Sequence, residues 1–98
     1  MSYLKCVGSI LMTNDKADAV RECICENLPG MDIDIDERDF GLDISLFGYE
    51  SNAEIRVEIM LDRLLKNFKV KDGSSFTFET DDFDEWEYIL KDGCWQKE

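Results

Sequence analysis

The sequence predicts an α+β chain built in two layers, with two helices on one face of a mostly antiparallel sheet. Three observations predict it. Met31-Asp32-Ile33-Asp34-Ile35-Asp36 alternates apolar and acidic residues with the period of two that marks a half-buried strand. Val57, Met60, Leu61, Leu64, Leu65 and Phe68 recur at helical spacing, the pattern of a helix packed on a sheet. Strand-like and helix-like stretches also alternate along the chain, so each helix bridges two strands.

Tyr3 to Met12 reads as the first strand. Leu4, Cys6, Gly8, Ile10 and Met12 share one face, while Val7 and Leu11 keep the other fairly apolar, as in a central strand. Thr13-Asn14-Asp15 supplies N-cap chemistry and an acid for the first turn of a helix. Ala17, Val20, Ile24 and Leu28, with Cys23 beside them, predict about four turns, which Pro29-Gly30 ends. In the alternating strand that follows, Met31, Ile33 and Ile35 point inward and Asp32, Asp34 and Asp36 outward. Glu37 to Gly41 is a turn, read as a longer hairpin loop in which Gly41 offers a positive φ. Leu42 to Tyr49 alternates again, with Leu42, Ile44 and Leu46 inward and Asp43, Ser45, Phe47 and Tyr49 outward.

Ser51-Asn52-Ala53-Glu54 has the Ser-x-x-Glu form of a capping box at the head of the second helix, whose polar side carries Arg56, Arg63 and Lys66. Lys71-Asp72-Gly73-Ser74 is a loop. Ser75 to Thr80 is a strand with Phe76 and Phe78 on one side and Thr77 and Glu79 on the other. Asp81-Asp82-Phe83 turns the chain. Asp84 to Lys91 sets Trp86, Tyr88 and Leu90 against Glu85, Glu87 and Ile89. Asp92-Gly93 is a strong two-residue hairpin signal, with room for a short final strand over Cys94-Trp95-Gln96.

The resulting order is β-α-β-β-α-β-β in one domain spanning residues 1–98. Right-handed crossovers with a hairpin strand between the two parallel strands produce the ferredoxin-like arrangement. The expected strand order is 5-4-1-3-2, which puts the Asp-bearing strand at an edge.

Charge narrows the function classes. There are 23 acidic residues against 11 basic ones and no histidine, for a net charge of −12. Such a field attracts cations and basic proteins and repels the phosphates of DNA, RNA and anionic membranes. It also serves solubility alone. The opening Met-Ser-Tyr-Leu-Lys carries no long apolar segment of a secretory signal, and no apolar run reaches membrane-spanning length. The expectation is a cytoplasmic protein whose four cysteines stay reduced.

Two acidic features are candidate sites. Asp32, Asp34 and Asp36 form a row about 6.7 Å apart at strand rise, and Asp43 on the hairpin partner adds a fourth carboxylate. Asp-x-Asp-x-Asp also opens a calcium loop, but Glu37 stands where glycine is needed, Asp43 stands where a glutamate is needed, and the intervening isoleucines suit a strand. An edge strand carries charge to block aggregation as well as to bind. The second feature runs from Glu79 to Glu87, where Asp81, Asp82, Asp84, Glu85 and Glu87 interleave with Phe83 and Trp86. Acids steer and aromatics anchor, which is the composition of an interface, although Trp86 and Tyr88 also suit the sheet core. Phe47 and Tyr49 are the aromatics expected on the open sheet face.

Catalysis has little to draw on. Without histidine there is no ordinary Ser-His or Cys-His nucleophile. Gly-rich phosphate loops are absent from the sequence, and Cys23-x-Cys25 has neither zinc nor redox spacing. No enzyme activity, metal or cofactor is expected. The expected function is a small acidic inhibitor: a toxin immunity protein, or a nucleic-acid mimic that blocks a basic nuclease or nucleic-acid-binding protein. The expected partner surface comprises Asp32, Asp34, Asp36, Asp43, Phe47, Tyr49, Asp81, Asp82, Asp84, Glu85 and Glu87. The alternative is a small-ligand regulatory or homodimerisation module that uses the open face.

Overall fold

Alternating and helical hydrophobic patterns become eight elements in the computed structural model, which describes residues 2–12, 16–82 and 84–98. They are β1 (Ser2–Leu11), α1 (Ala17–Asn27), β2 (Met31–Arg38), β3 (Gly41–Glu50), α2 (Ala53–Asn67), β4 (Ser75–Thr80), β5 (Glu85–Lys91) and β6 (Cys94–Lys97). The strands form one six-stranded sheet in the order β2-β3-β1-β4-β5-β6, with every neighbouring pair antiparallel. The chain is thus α+β, and β2 lies at an edge. No helix among the described residues is long and apolar enough to cross a membrane.

One core lies between the sheet and both helices. Leu4, Cys6, Ile10, Leu42, Ile44, Leu46, Phe76 and Phe78 on the strands meet Val20, Ile24, Val57, Met60, Leu61 and Leu64 on the helices. Each of the Val, Leu, Ile, Met and Phe side chains among them contributes about 1.5–3 kcal/mol when taken from water. The second face of β1 is not buried. Val7 is 51% exposed even though β1 lies between β3 and β4. Its apolar character therefore marked a central position in the sheet, not a second covered face.

Four local expectations are corrected. First, β-α-β-β-α-β-β is one strand short. Asp92 and Gly93 take φ of 53° and 77°, the mirror-image turn that suits strand twist. Asp72 Oδ2 and Oδ1 accept their N–H groups at 2.9 and 3.1 Å. The chain then returns as β6, held by the Trp95 indole N–H donating to the Leu61 carbonyl at 2.9 Å. Second, the capping box does not form. Asn52 is the N-cap residue in left-handed backbone (φ 56°), with no side-chain cap bond. Arg56 instead secures the entry to α2, with Nε donating to the Ser51 carbonyl at 3.1 Å and facing Glu50 Oε1 at 3.4 Å, while Glu54 is held by Lys97.

Third, the β2–β3 loop is tight. Arg38 pairs with Gly41, leaving Asp39 and Phe40 as the turn. Gly41 has φ 146°, and a Cβ there would lie 2.0 Å from the Ile10 carbonyl, so the hairpin closes against β1 only with glycine. Fourth, α1 has three turns rather than four, over 11 residues. The cap expected at Thr13-Asn14-Asp15 lies outside the described residues. Edge position also limits burial, because Ile33 and Ile35 are half-buried while Met31 is buried. The Arg21 side chain crosses that edge and donates to the Ile33 carbonyl at 3.0 Å, occupying an acceptor that another strand would otherwise use.

Candidate functional site on the open face of the sheet

Because both helices cover one face, the alternate residues of every strand stand together on the other. Register makes them neighbours. One row crosses the sheet as Asp32, Phe47, Lys5, Glu79 and Glu85. The next runs Asp34, Ser45, Val7, Thr77 and Glu87, and the third runs Asp36, Asp43, Ser9, Ser75 and Ile89. Tyr49 and Tyr3 are paired at one end. Of the expected surface, Asp32, Asp34, Asp36, Asp43, Phe47, Tyr49, Glu85 and Glu87 therefore share this face.

The carboxylates differ in what holds them. Asp43 accepts from Ser9 Oγ and from Arg38 Nε, both at 2.9 Å. Arg38 also lies 3.9 Å from Asp36. Asp32 and Asp34 are exposed and take part in no ion pair among the described residues. At strand spacing two such charges repel by about 0.6 kcal/mol in water, and more beside a low-dielectric sheet. On the far side Glu79 is the direct cross-strand partner of Glu85, and Thr77 Oγ1 donates to Glu87 Oε2 at 3.4 Å. The face thus has two acidic flanks, one on β2 and one on β4–β5.

Three expected residues are elsewhere. Asp81 and Asp82 are exposed in the β4–β5 turn. Asp82 and Asp84 line a cleft of about 350 Å3 at the N-terminus of α2, with Thr80 and Trp86. That cleft is on the helical side, because Trp86 pairs with Phe78 and stacks on its ring at 5.6 Å. The second acidic stretch is therefore split between two sides of the molecule, and Trp86 belongs to the edge of the core. Phe83 lies outside the described residues.

Sequence reasoning left Tyr3, Lys5 and Val7 out of the surface, and Glu79, which opens the second acidic feature, is not among the expected partner residues. The period of two in β1 and β4 already set them outward, but only pairing brings the three β1 residues between the flanks and Glu79 into the β4–β5 flank. Asp32, Asp34 and Asp36 lie along extended β2, not curled around a common centre, so the calcium-loop geometry is absent. Burial pushes the Cys6 and Cys23 thiols upward, with Glu26 adding to the shift at Cys23, so neither is primed as a thiolate. No protein-family model, no curated protein and no solved structure matches the chain.

Proposed function

We propose that this protein is a small inhibitor that docks on a basic protein through the open sheet face, as a toxin immunity protein or a nucleic-acid mimic would. The observation that carries the reading is the in-register display of carboxylates on a face no helix covers, with Asp32 and Asp34 free of intramolecular cations among the described residues. A net charge of −12 adds long-range attraction for a basic partner and repulsion of nucleic acid and anionic lipid. The role is one of binding in the cytoplasm, with no reaction, cofactor or metal. We read β1 through β4 with α1 and α2 as a ferredoxin-like unit, extended by β5 and β6. All-antiparallel pairing in β2-β3-β1-β4 and the packing of α1 on α2 support that reading.

A pull-down from the native host at low salt tests it, with Asp32, Asp34 and Asp36 changed together to Asn. Partner recovery is expected from the native chain, falling with added salt and lost in the variant. Equal recovery from both removes the β2 carboxylates from the function.

A homodimer through the same face is the second reading, favoured by Tyr49 and Phe47 at 60% and 46% exposure. A two-fold axis on that face brings like patches together and sets carboxylates near carboxylates. A dimer insensitive to salt, measured by light scattering, would favour it over the inhibitor.

A further inference from the structure

Between the two acidic flanks, Tyr3, Tyr49, Phe47 and Val7 form an apolar and aromatic patch beside Lys5 and Ser45, and this patch narrows the kind of basic partner, resting on the reading of the face just given. Tyr3 and Tyr49 meet edge to face with ring centroids 5.3 Å apart. Phe47 and Val7 continue the patch along β3 and β1, at 46% and 51% exposure. Asp32 and Asp34 of β2 border it on one side, and Glu79, Glu85 and Glu87 of β4 and β5 on the other. Lys5 stands within it, in register between Phe47 and Glu79.

From β2 to β4 is three strand spacings, about 14 Å. A helix with its side chains is about 10–12 Å across. A helix laid along β3 and β1 therefore fits between the flanks, and long side chains from its two borders reach both. Mimicry of phosphates requires only carboxylates at fixed spacing and leaves an exposed aromatic patch without a role. Such a patch with acids on both sides complements an apolar stripe with Lys or Arg on both sides. Two helices already cover the opposite face, so the partner segment would complete a third layer.

The geometry points to a cationic amphipathic helix of a protein partner as the occupant of the open face. Its apolar stripe rests on Tyr3, Val7, Phe47 and Tyr49, and its Lys or Arg side chains face the carboxylates of β2 and of β4–β5. Lys5 favours a neutral or acidic residue at the position above it.

The test titrates the full chain with a designed peptide of about 18 residues, roughly 27 Å as a helix, whose leucine stripe is bordered on both sides by lysines. A second peptide has the same composition in scrambled order. Calorimetry reads affinity and circular dichroism reads peptide helicity. The patterned peptide is expected to become helical on binding and to bind about tenfold tighter than the scrambled one, the scale of a buried aromatic anchor. Phe47→Ser combined with Tyr49→Ser, both at exposed positions, should abolish that preference while leaving a salt-sensitive affinity for either peptide. Equal affinity of the native chain for the two peptides overturns the helix proposal and leaves the acidic-face reading standing. Failure of both peptides to bind at low salt overturns both.

Discussion

Asp36 and Asp43 are direct partners across the β2–β3 pair, and the guanidinium of Arg38 contacts both, at 3.9 and 2.9 Å. Opposed carboxylates destabilise a strand pair, and here a cation two residues farther along β2 offsets them. Arg38→Gln should cost about 0.5–1 kcal/mol at low salt, the range of an exposed ion pair with good geometry. The cost should shrink at high ionic strength, as read from urea midpoints at two salt concentrations. A salt-independent cost would show that Arg38 acts through packing.

Glu79 and Glu85 form the second opposed acidic pair. Glu85→Thr removes the like charge and places a β-branched residue in a strand. A gain of about 0.5 kcal/mol is expected, since cross-strand pairs are worth roughly 0.2–1 kcal/mol. Thermal unfolding at low salt checks it. The same change should weaken binding of a basic partner, which separates the stability of this pair from its use.

Gly8 lies under an aromatic ring. A Cβ there would sit 2.3 Å from Phe76 Cδ1 and 2.5 Å from the Ser75 carbonyl oxygen. The ring can shift, but the backbone of β4 is fixed by its pairing. Gly8→Ala is expected to destabilise by about 1–3 kcal/mol, as overpacked cores do. A chemical-denaturation curve with an unchanged midpoint would contradict the close packing of Gly8 against Phe76 and Ser75.

Tyr88 supplies a pH dependence with a definite sign. Burial first, then the Glu58 carboxylate that accepts a hydrogen bond from its hydroxyl at 3.1 Å, push its pKa up to about 12. Raised above the ordinary value near 10, it favours the neutral phenol in the fold. That contribution is whole below about pH 10 and is lost as pH rises through about 12. Tyr88→Phe should cost about 1 kcal/mol at neutral pH for the lost hydrogen bond. The difference from the native chain should narrow or reverse between pH 10 and 12, as read by denaturation at each pH.

Local pattern carried a good deal of the fold. Alternation in β2 and β3 and the helical spacing of Val57, Met60, Leu61 and Leu64 each named the side that is buried. It failed where a distant residue intervenes. Ser51 and Glu54 have the capping-box spacing, yet Asn52 turns left-handed, Arg56 secures the entry and Lys97 takes the Glu54 carboxylate. For the candidate surface, Asp84 and Glu85 are adjacent in sequence but end on different sides, one lining the α2 cleft and the other on the open face.

The chain's own order of residues determined the acidic charge, the inward and outward side of nearly every element, and the outward row of Asp32, Asp34 and Asp36, because these depend on periods of two and 3.6 within a single segment. Which outward residues become neighbours was decided only by tertiary structure. Asp32, Phe47, Lys5 and Glu79 are brought into one row by hydrogen-bonded pairing of four strands in the order β2-β3-β1-β4. A strand's own period is the same whichever strand lies beside it, so register follows from turn geometry and from the packing of the helices on the other face.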